Sequence, residues 1–92
     1  MEIQHRQAGK GGVFLIEKDN RRIAEMTYTL DSEIMIIEHT VVDASLRGKN
    51  IGLQLVNKAC EYAKENNLKI NPVCTFVQSV FKKNPALYDN VT

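Results

Sequence analysis

The chain has 92 residues, 43% hydrophobic and 25% charged, which fits one small domain spanning residues 1–92 around one core. Twelve Lys and Arg face eleven Asp and Glu for a net charge of +1, so the basic excess of a dedicated nucleic-acid binder is absent, while an anionic small molecule remains admissible. No apolar run reaches membrane-spanning length, the N-terminus has no signal-like apolar segment, and the two cysteines, Cys60 and Cys74, form neither a CxxC pair nor a zinc-spaced cluster. The expectation is a cytoplasmic protein with free thiols and no metal.

In chain order, Glu2 to Gln7 suits a short edge strand, and "AGKGG" at 8–12 is a turn signal. "VFLIEK" at 13–18 is a strand candidate closed by "DN" at 19–20. Ala24, Met26, Tyr28 and Leu30 alternate with Ile23, Glu25, Thr27 and Thr29, the period of a half-buried strand. After the turn "DS", "EIMIIEHTVV" at 33–42 is rich in β-branched residues and predicts a well-buried strand. Ile51, Leu55, Val56, Ala59 and Ala63 then recur at helical spacing, and "NN" at 66–67 supplies a stop. "KINPVCTF" at 69–76 predicts a further strand, with Pro72 at an edge or bulge, and "VQSVFKKN" at 77–84 predicts a short helix stopped by Pro85. Leu87 and Tyr88 would dock the tail. This order gives an α+β fold: a four-strand antiparallel meander, a crossover helix, a fifth strand parallel to the fourth, and a short C-terminal helix.

The junction between the fourth strand and the first helix carries "RGKNIG", Arg47 to Gly52. A helix start exposes unpaired N–H groups and a partial positive charge. Gly48 and Gly52 remove bulk, and Arg47 and Lys49 add charge, so the stretch suits a pyrophosphate cradle. It equally suits a plain turn into a helix. It is neither a Walker loop nor a GxGxxG fingerprint.

Arg47, Asn50 and Gly52 resemble the Q/R-x-x-G-x-G/A pattern of the GNAT acetyltransferase superfamily. The strand ending "HTVV" before it and "NPVCTF" beyond the helix resemble, more narrowly, the small stand-alone GNAT-like subfamily of acetyl-CoA-binding proteins. The likeness covers nearly the whole chain. It implies that acetyl-CoA is bound, with its pyrophosphate on the turn formed by Arg47, Gly48, Lys49, Asn50, Ile51, Gly52 and Leu53. It also implies that the fourth strand splays from the fifth, so that Val41, Val42 and Asp43 offer backbone groups to the pantetheine arm. Asn50 stands where the superfamily usually has glycine. Asn tolerates the left-handed backbone needed there, so the turn should form and binding should be weakened, not abolished.

Direct transfer to an amine needs a base. His39 and Glu38 lie on the strand that supplies it in many GNAT enzymes, and simple alternation puts them on opposite faces: Glu38 with Ile36 and Thr40, His39 with Met35, Ile37 and Val41. The bland readings are a hydrogen-bonded core histidine and a solvated glutamate. Cys74, on the fifth strand and facing the splayed one, matches the subfamily's Pro-x-Cys-x-aromatic pattern and is the candidate thiolate acceptor of the acetyl group; a buried, inert thiol is the alternative. Cys60, Phe76, Phe81 and Tyr88 read as core, with Phe81 or Lys82 a further candidate for the adenine end.

The leading expectation is an N-acetyltransferase moving acetyl from acetyl-CoA to an amine, the open face of so small a chain favouring a protein or peptide acceptor. The alternatives are a non-catalytic acetyl-CoA binder or sensor, and a small interaction module whose "RGKNIG" turn is only a helix start. A monomer or weak dimer is expected, with no nucleic-acid or membrane partner.

Overall fold

The sheet is built by short turns between strands whose apolar residues alternate. A computed structural model describes residues 2–92. Its strands are β1 (Gln4–Ala8), β2 (Gly11–Lys18), β3 (Arg21–Asp31), β4 (Ile34–Val42) and β5 (Lys69–Pro72), hydrogen-bonded in the order β1-β2-β3-β4-β5. The first four pair antiparallel and β5 runs parallel to β4. Between β4 and β5 come a 3₁₀ turn (Ala44–Leu46) and α1 (Ile51–Glu65). After β5 come α2 (Thr75–Lys83), α3 (Pro85–Tyr88) and a 3₁₀ turn (Asp89–Val91). The expected α+β architecture is therefore present.

Registered neighbours show which residues share a face. Phe14, Met26 and Thr40 lie side by side, as do Gly12, Tyr28 and Ile37. This face carries the core: Phe14, Ile16, Met26, Tyr28, Met35 and Ile37 pack with Leu55, Val56, Ala59 and Ala63 of α1 and with Val77, Val80 and Phe81 of α2. Fully burying one such side chain stabilises by about 1.5–3 kcal/mol. The other face carries Leu15, Glu25 and Val41 in one row, and Val13, Thr27 and His39 in the next.

The alternation in β4 is broken once. Thr27 pairs with His39 and Tyr28 with Ile37, so Glu38 is an extra, unpaired residue in a β-bulge. The faces expected from simple alternation are thereby exchanged beyond it. Thr40 and Val42 continue the core face of Met35 and Ile37, while His39 and Val41 join the opposite face.

The fifth strand is shorter than expected, ending at Pro72, and α2 begins at Thr75 instead of Val77. Pro72 has no N–H for the ladder, and the next two amides, of Val73 and Cys74, both turn to the Ile37 carbonyl at 3.0 Å. Pro85 ends α2 and also opens α3 as its first residue. The tail is docked by Tyr88 and Val91, whereas Leu87 is 67% exposed. Phe81 does belong to the core and stacks on Tyr88 with centroids 4.7 Å apart. Phe76 does not, being 41% exposed.

Candidate functional site

Beyond the Ile37–Pro72 pair, β4 and β5 no longer pair with each other, while β4 stays paired with β3. The space that opens is a cleft of about 590 Å³, within the range of small-molecule sites. Thr40 and Val42 of β4 form one wall, Phe76 and Val80 of α2 another, and the approach to α1 closes the end.

That approach is shaped by two left-handed residues. Asp43 caps the 3₁₀ turn, its Oδ2 accepting from Ser45 N at 3.0 Å and from Ser45 Oγ. These bonds hold the Asp43 carboxyl below its usual range. Arg47 N donates to Ala44 O at 3.1 Å and Lys49 N to Leu46 O at 3.3 Å. Gly48 has φ +83° and Asn50 has φ 56°, ψ 32°, so Asn50 adopts the backbone that its residue type tolerates best after glycine. Its side chain makes no capping bond. Gln54 N, donating to Asn50 O at 3.0 Å, is the first amide of α1 with a carbonyl partner. The amides of Ile51, Gly52 and Leu53 precede it, at the positive end of the helix dipole. Arg47 and Gly48 line the same cleft, while Lys49 faces a separate groove with Lys18 and Arg21.

Of the three strand-end residues expected to offer backbone groups, only Val42 faces the cleft. Val41 is 55% exposed on the opposite face. The Asp43 amide donates to Ile23 O at 2.8 Å and its carbonyl accepts from Leu46 N at 2.9 Å, so both groups are engaged.

Gly52 has a more specific neighbour than an anion. A Cβ at this position would lie 2.6 Å from Phe76 Cζ and 2.9 Å from Cε2, closer than van der Waals contact allows. The missing side chain thus seats the ring of Phe76 on the first turn of α1. Lys83 and Asn84 of the α2 end reach the cleft, whereas Lys82 faces away from it and Phe81 is core.

Cys74 is the N-cap residue of α2, not a strand residue, and is 8% exposed. It stands behind Thr40 and Phe76 instead of on the cleft wall, and its Sγ donates to Thr40 Oγ1 at 3.5 Å. Burial raises the thiol's pKa. The Thr40 hydroxyl and the amides of Val77, Phe76 and Thr40 outweigh it, and the net shift is downward. Cys60 is the contrast: on the buried side of α1, burial pushes its thiol up to about 11.

The two candidate bases lie elsewhere. His39 is on the opposite sheet face, with Nδ1 3.2 Å from Thr27 Oγ1 and Nε2 3.3 Å from Glu25 Oε2, its side chain 55% exposed. Glu25 also accepts from Arg22 at 3.2 Å. Glu38 projects from the bulge and is exposed. The structure thus brings Cys74 together with Thr40 and the start of α2, and puts His39 on the other side of β4 from the thiol. The sequence reading assigned Thr40 no role and placed Phe76 in the core, where it is not. The signals for both were present, a lone hydroxyl in an apolar strand end and an aromatic two residues after the cysteine.

Residues 13–91 match the family model described as GCN5-related N-acetyl-transferase. The chain belongs to this family. A GCN5-like protein from Staphylococcus aureus, solved by NMR, has a TM-score of 0.72 and 33% identity, covering 98% of this chain and 85% of that one. Aminoglycoside N-acetyltransferase AAC(6')-Iy, solved with CoA, superposes with a TM-score of 0.60 over 83% of this chain and 67% of its own. At 15% identity, that likeness is one of fold. Protein NATD1 from Gallus gallus and from Homo sapiens is 33% identical over 52 residues, 56% of this chain and 47% and 46% of the respective relatives. The chain spans about half the length of these curated relatives. Among the described residues, no helix is long and apolar enough to cross a membrane.

Proposed function

We propose that this member of the acetyltransferase family binds acetyl-CoA in the cleft between β4 and β5 and passes the acetyl group to a primary amine. One observation carries the reading: the leading amides of α1 open onto the cleft that begins where the β4–β5 ladder ends, and Cys74 stands behind its Thr40 and Phe76 wall. The amides of Ile51, Gly52 and Leu53, with Arg47 beside them, suit a pyrophosphate. Val42, Thr40 and Phe76 suit the pantetheine arm, which would bring the thioester toward Cys74.

In the covalent route, the Cys74 thiolate attacks the acetyl carbonyl, the bond from carbonyl carbon to CoA sulfur breaks, and CoA leaves as its thiolate and takes a proton from water. A neutral amine then attacks the new thioester. The Cys74 sulfur leaves as thiolate, and the amine's proton goes to water. A cleft that so small a chain leaves open suits an amine carried on a protein or peptide.

A second reading is favoured by one observation. Among the described residues, no imidazole or carboxylate is hydrogen-bonded to Cys74, and His39 is across the strand. A chain that binds acetyl-CoA without transferring it, signalling occupancy to a partner, needs no such contact. Titration with acetyl-CoA, followed by the amide resonances of residues 41–53, tests binding. Release of free CoA thiol with peptide amines, and an acetyl mass increment on Cys74, separate the enzyme from the binder. Absence of any resonance shift at millimolar acetyl-CoA would end both readings.

A further inference from the structure

A second groove adjoins the turn that leads into α1. Its volume is about 430 Å³, and the buried side chains of Ile23 and Leu46 form its apolar floor. Leu46 also lines the cleft, so the two openings are neighbours. Three cations stand around this floor. Lys18 and Arg21 pair directly across the β2–β3 hairpin, whose turn residues, Asp19 and Asn20, are both left-handed, with φ 54° and 61°. A two-residue turn of this kind holds its strand ends together, and like charges set opposite each other there oppose folding. Lys49 enters from the turn before α1, its amide tied to Leu46 O at 3.3 Å. Among the described residues, none of the three forms an ion pair, whereas Arg22 is bound to Glu25 and Arg6 to Glu17. The acidic groups nearby are Asp19, which lines the groove, and Asp43, which is held by Ser45 and drawn toward Arg21. Positive charge is left over.

We propose that this groove docks an acidic peptide segment of the acceptor, its Asp or Glu side chains taken up by Lys18, Arg21 and Lys49. The lining favours this occupant over others. No aromatic ring lines the groove for a nucleotide base to stack on. None of the large apolar residues that are exposed, such as Val41, Leu53 and Leu87, lies there to enter a lipid surface. The cations come from two separate segments and stand beside an apolar floor. That layout fits carboxylates spaced along a chain, with aliphatic stems between them, better than one compact anion. Arg21 can hold a carboxylate with both arms of its guanidinium. Bound carboxylates would also offset the repulsion that the hairpin carries when empty. Assigning the segment to the acceptor rests on the amine-transfer reading above. Docking is measured without acetyl-CoA, so it can fail while transfer stands, and the reverse.

The test is a titration of the isotope-labelled whole chain with a lysine peptide rich in Glu and Asp, followed by amide resonances. The same peptide with Gln and Asn in place of the acids, inorganic phosphate and a single-stranded oligonucleotide are the comparison ligands. The acidic peptide alone is expected to move resonances of residues 18–23 and 45–49, and its binding to weaken several-fold between about 50 and about 200 mM salt. Removing both hairpin charges, Lys18→Gln with Arg21→Gln, is expected to weaken it about fivefold. Lys58→Gln with Lys64→Gln removes as much charge from exposed positions of α1 outside the groove and is expected to stay within about twofold of the parent. Equal losses in the two double variants overturn the proposal, since the peptide would then follow only the charge of the whole chain. So does an equal response to the neutral peptide, to phosphate or to the oligonucleotide, or a response confined to other residues. If the hairpin variant fails to fold by circular dichroism, Lys49→Gln, which leaves the hairpin intact, is expected to weaken binding about two- to threefold, and parent affinity there is the refutation.

Discussion

Thr40 and Cys74 meet where the β4–β5 ladder ends, the thiol donating to the threonine hydroxyl at 3.5 Å. The pairing exists because the Glu38 bulge turns Thr40 inward and because Pro72 releases the chain that carries Cys74. It puts the chain's more acidic thiol beside the proposed acyl site.

The two cysteines should therefore react in a fixed order. The Cys74 pKa is lowered, so its thiolate is present at lower pH than that of an ordinary cysteine, whereas Cys60 keeps its proton up to about 11. Stepwise alkylation from neutral to alkaline pH, followed by peptide mass spectrometry, should label Cys74 first and spare Cys60. Thr40→Val removes the hydroxyl and should slow labelling near neutrality about two- to fivefold. Equal labelling of both thiols at neutral pH in folded protein would contradict the arrangement.

Cys60 also sets an alkaline limit to stability. An unfolded chain releases this proton near 9.0 and the folded chain near 11. The raised folded value means that its contribution is complete below about pH 9 and is lost as the pH climbs from there through 11. Urea midpoints between pH 8 and pH 11 should fall in the parent and fall less steeply in Cys60→Ala. Identical slopes would remove Cys60 as the cause.

Gly52 and Phe76 should be strongly non-additive. Gly52→Ala in the parent drives a Cβ into the ring and should cost about 1–3 kcal/mol. In a Phe76→Ala background the same change no longer meets the ring and should be neutral or stabilise by up to about 1 kcal/mol, as alanine is the better helix former. Urea unfolding of the four proteins closes the cycle, and additive effects would mean that the ring does not occupy that seat.

Gly12 and Gly11 are adjacent but should respond differently to alanine. A Cβ on Gly12 would lie 2.3 Å from Cζ and from the hydroxyl of Tyr28. That ring is 1% exposed and is hydrogen-bonded to His5. Gly11 has nothing nearer than 3.9 Å. Gly12→Ala should destabilise by about 2–3 kcal/mol and Gly11→Ala by well under about 1 kcal/mol. Equal melting temperatures for the two variants would show that the Tyr28 ring gives way.

Asn50→Gly should tighten acetyl-CoA binding about two- to fivefold. Glycine enters the left-handed region freely and removes a side chain from the mouth of the cleft. Asn50→Ala should weaken it, since a Cβ costs about 1 kcal/mol in that conformation. Calorimetric titration ranks the three, and an unchanged or weaker Gly variant would point to a favourable contact from the Asn50 amide.

Much of this arrangement was legible in the residues. Period-two alternation located β3 and the core face of the meander, and helical spacing located α1 through its stop at Asn66 and Asn67. The glycine and asparagine of the turn announced its left-handed residues. The Glu38 bulge was not legible, because one inserted residue in "IIEHTVV" leaves no gap in β propensity, yet it exchanges the faces of all that follows. The end of β5 was only half legible. Pro72 was recognised as an interruption, but "CTF" favours strand by propensity, and the helix start at Thr75 goes with contacts to Ile37 and Gly52 from distant segments. Phe76 looked like core because aromatics usually are, and its glycine seat lies 24 positions earlier in the chain.

The short parallel ladder has a consequence for assembly order. Ile34 pairs with Lys69 across 34 intervening residues, whereas β1 to β4 are joined by tight turns. Closing that long segment is slower than zipping hairpins, so β5 and the helix after it should dock late on a meander already formed. The cleft is made by that last docking. A ligand seated there would hold shut the part of the molecule most ready to open. Hydrogen exchange should register this as added protection in β5 and α2, with β2 and β3 little changed.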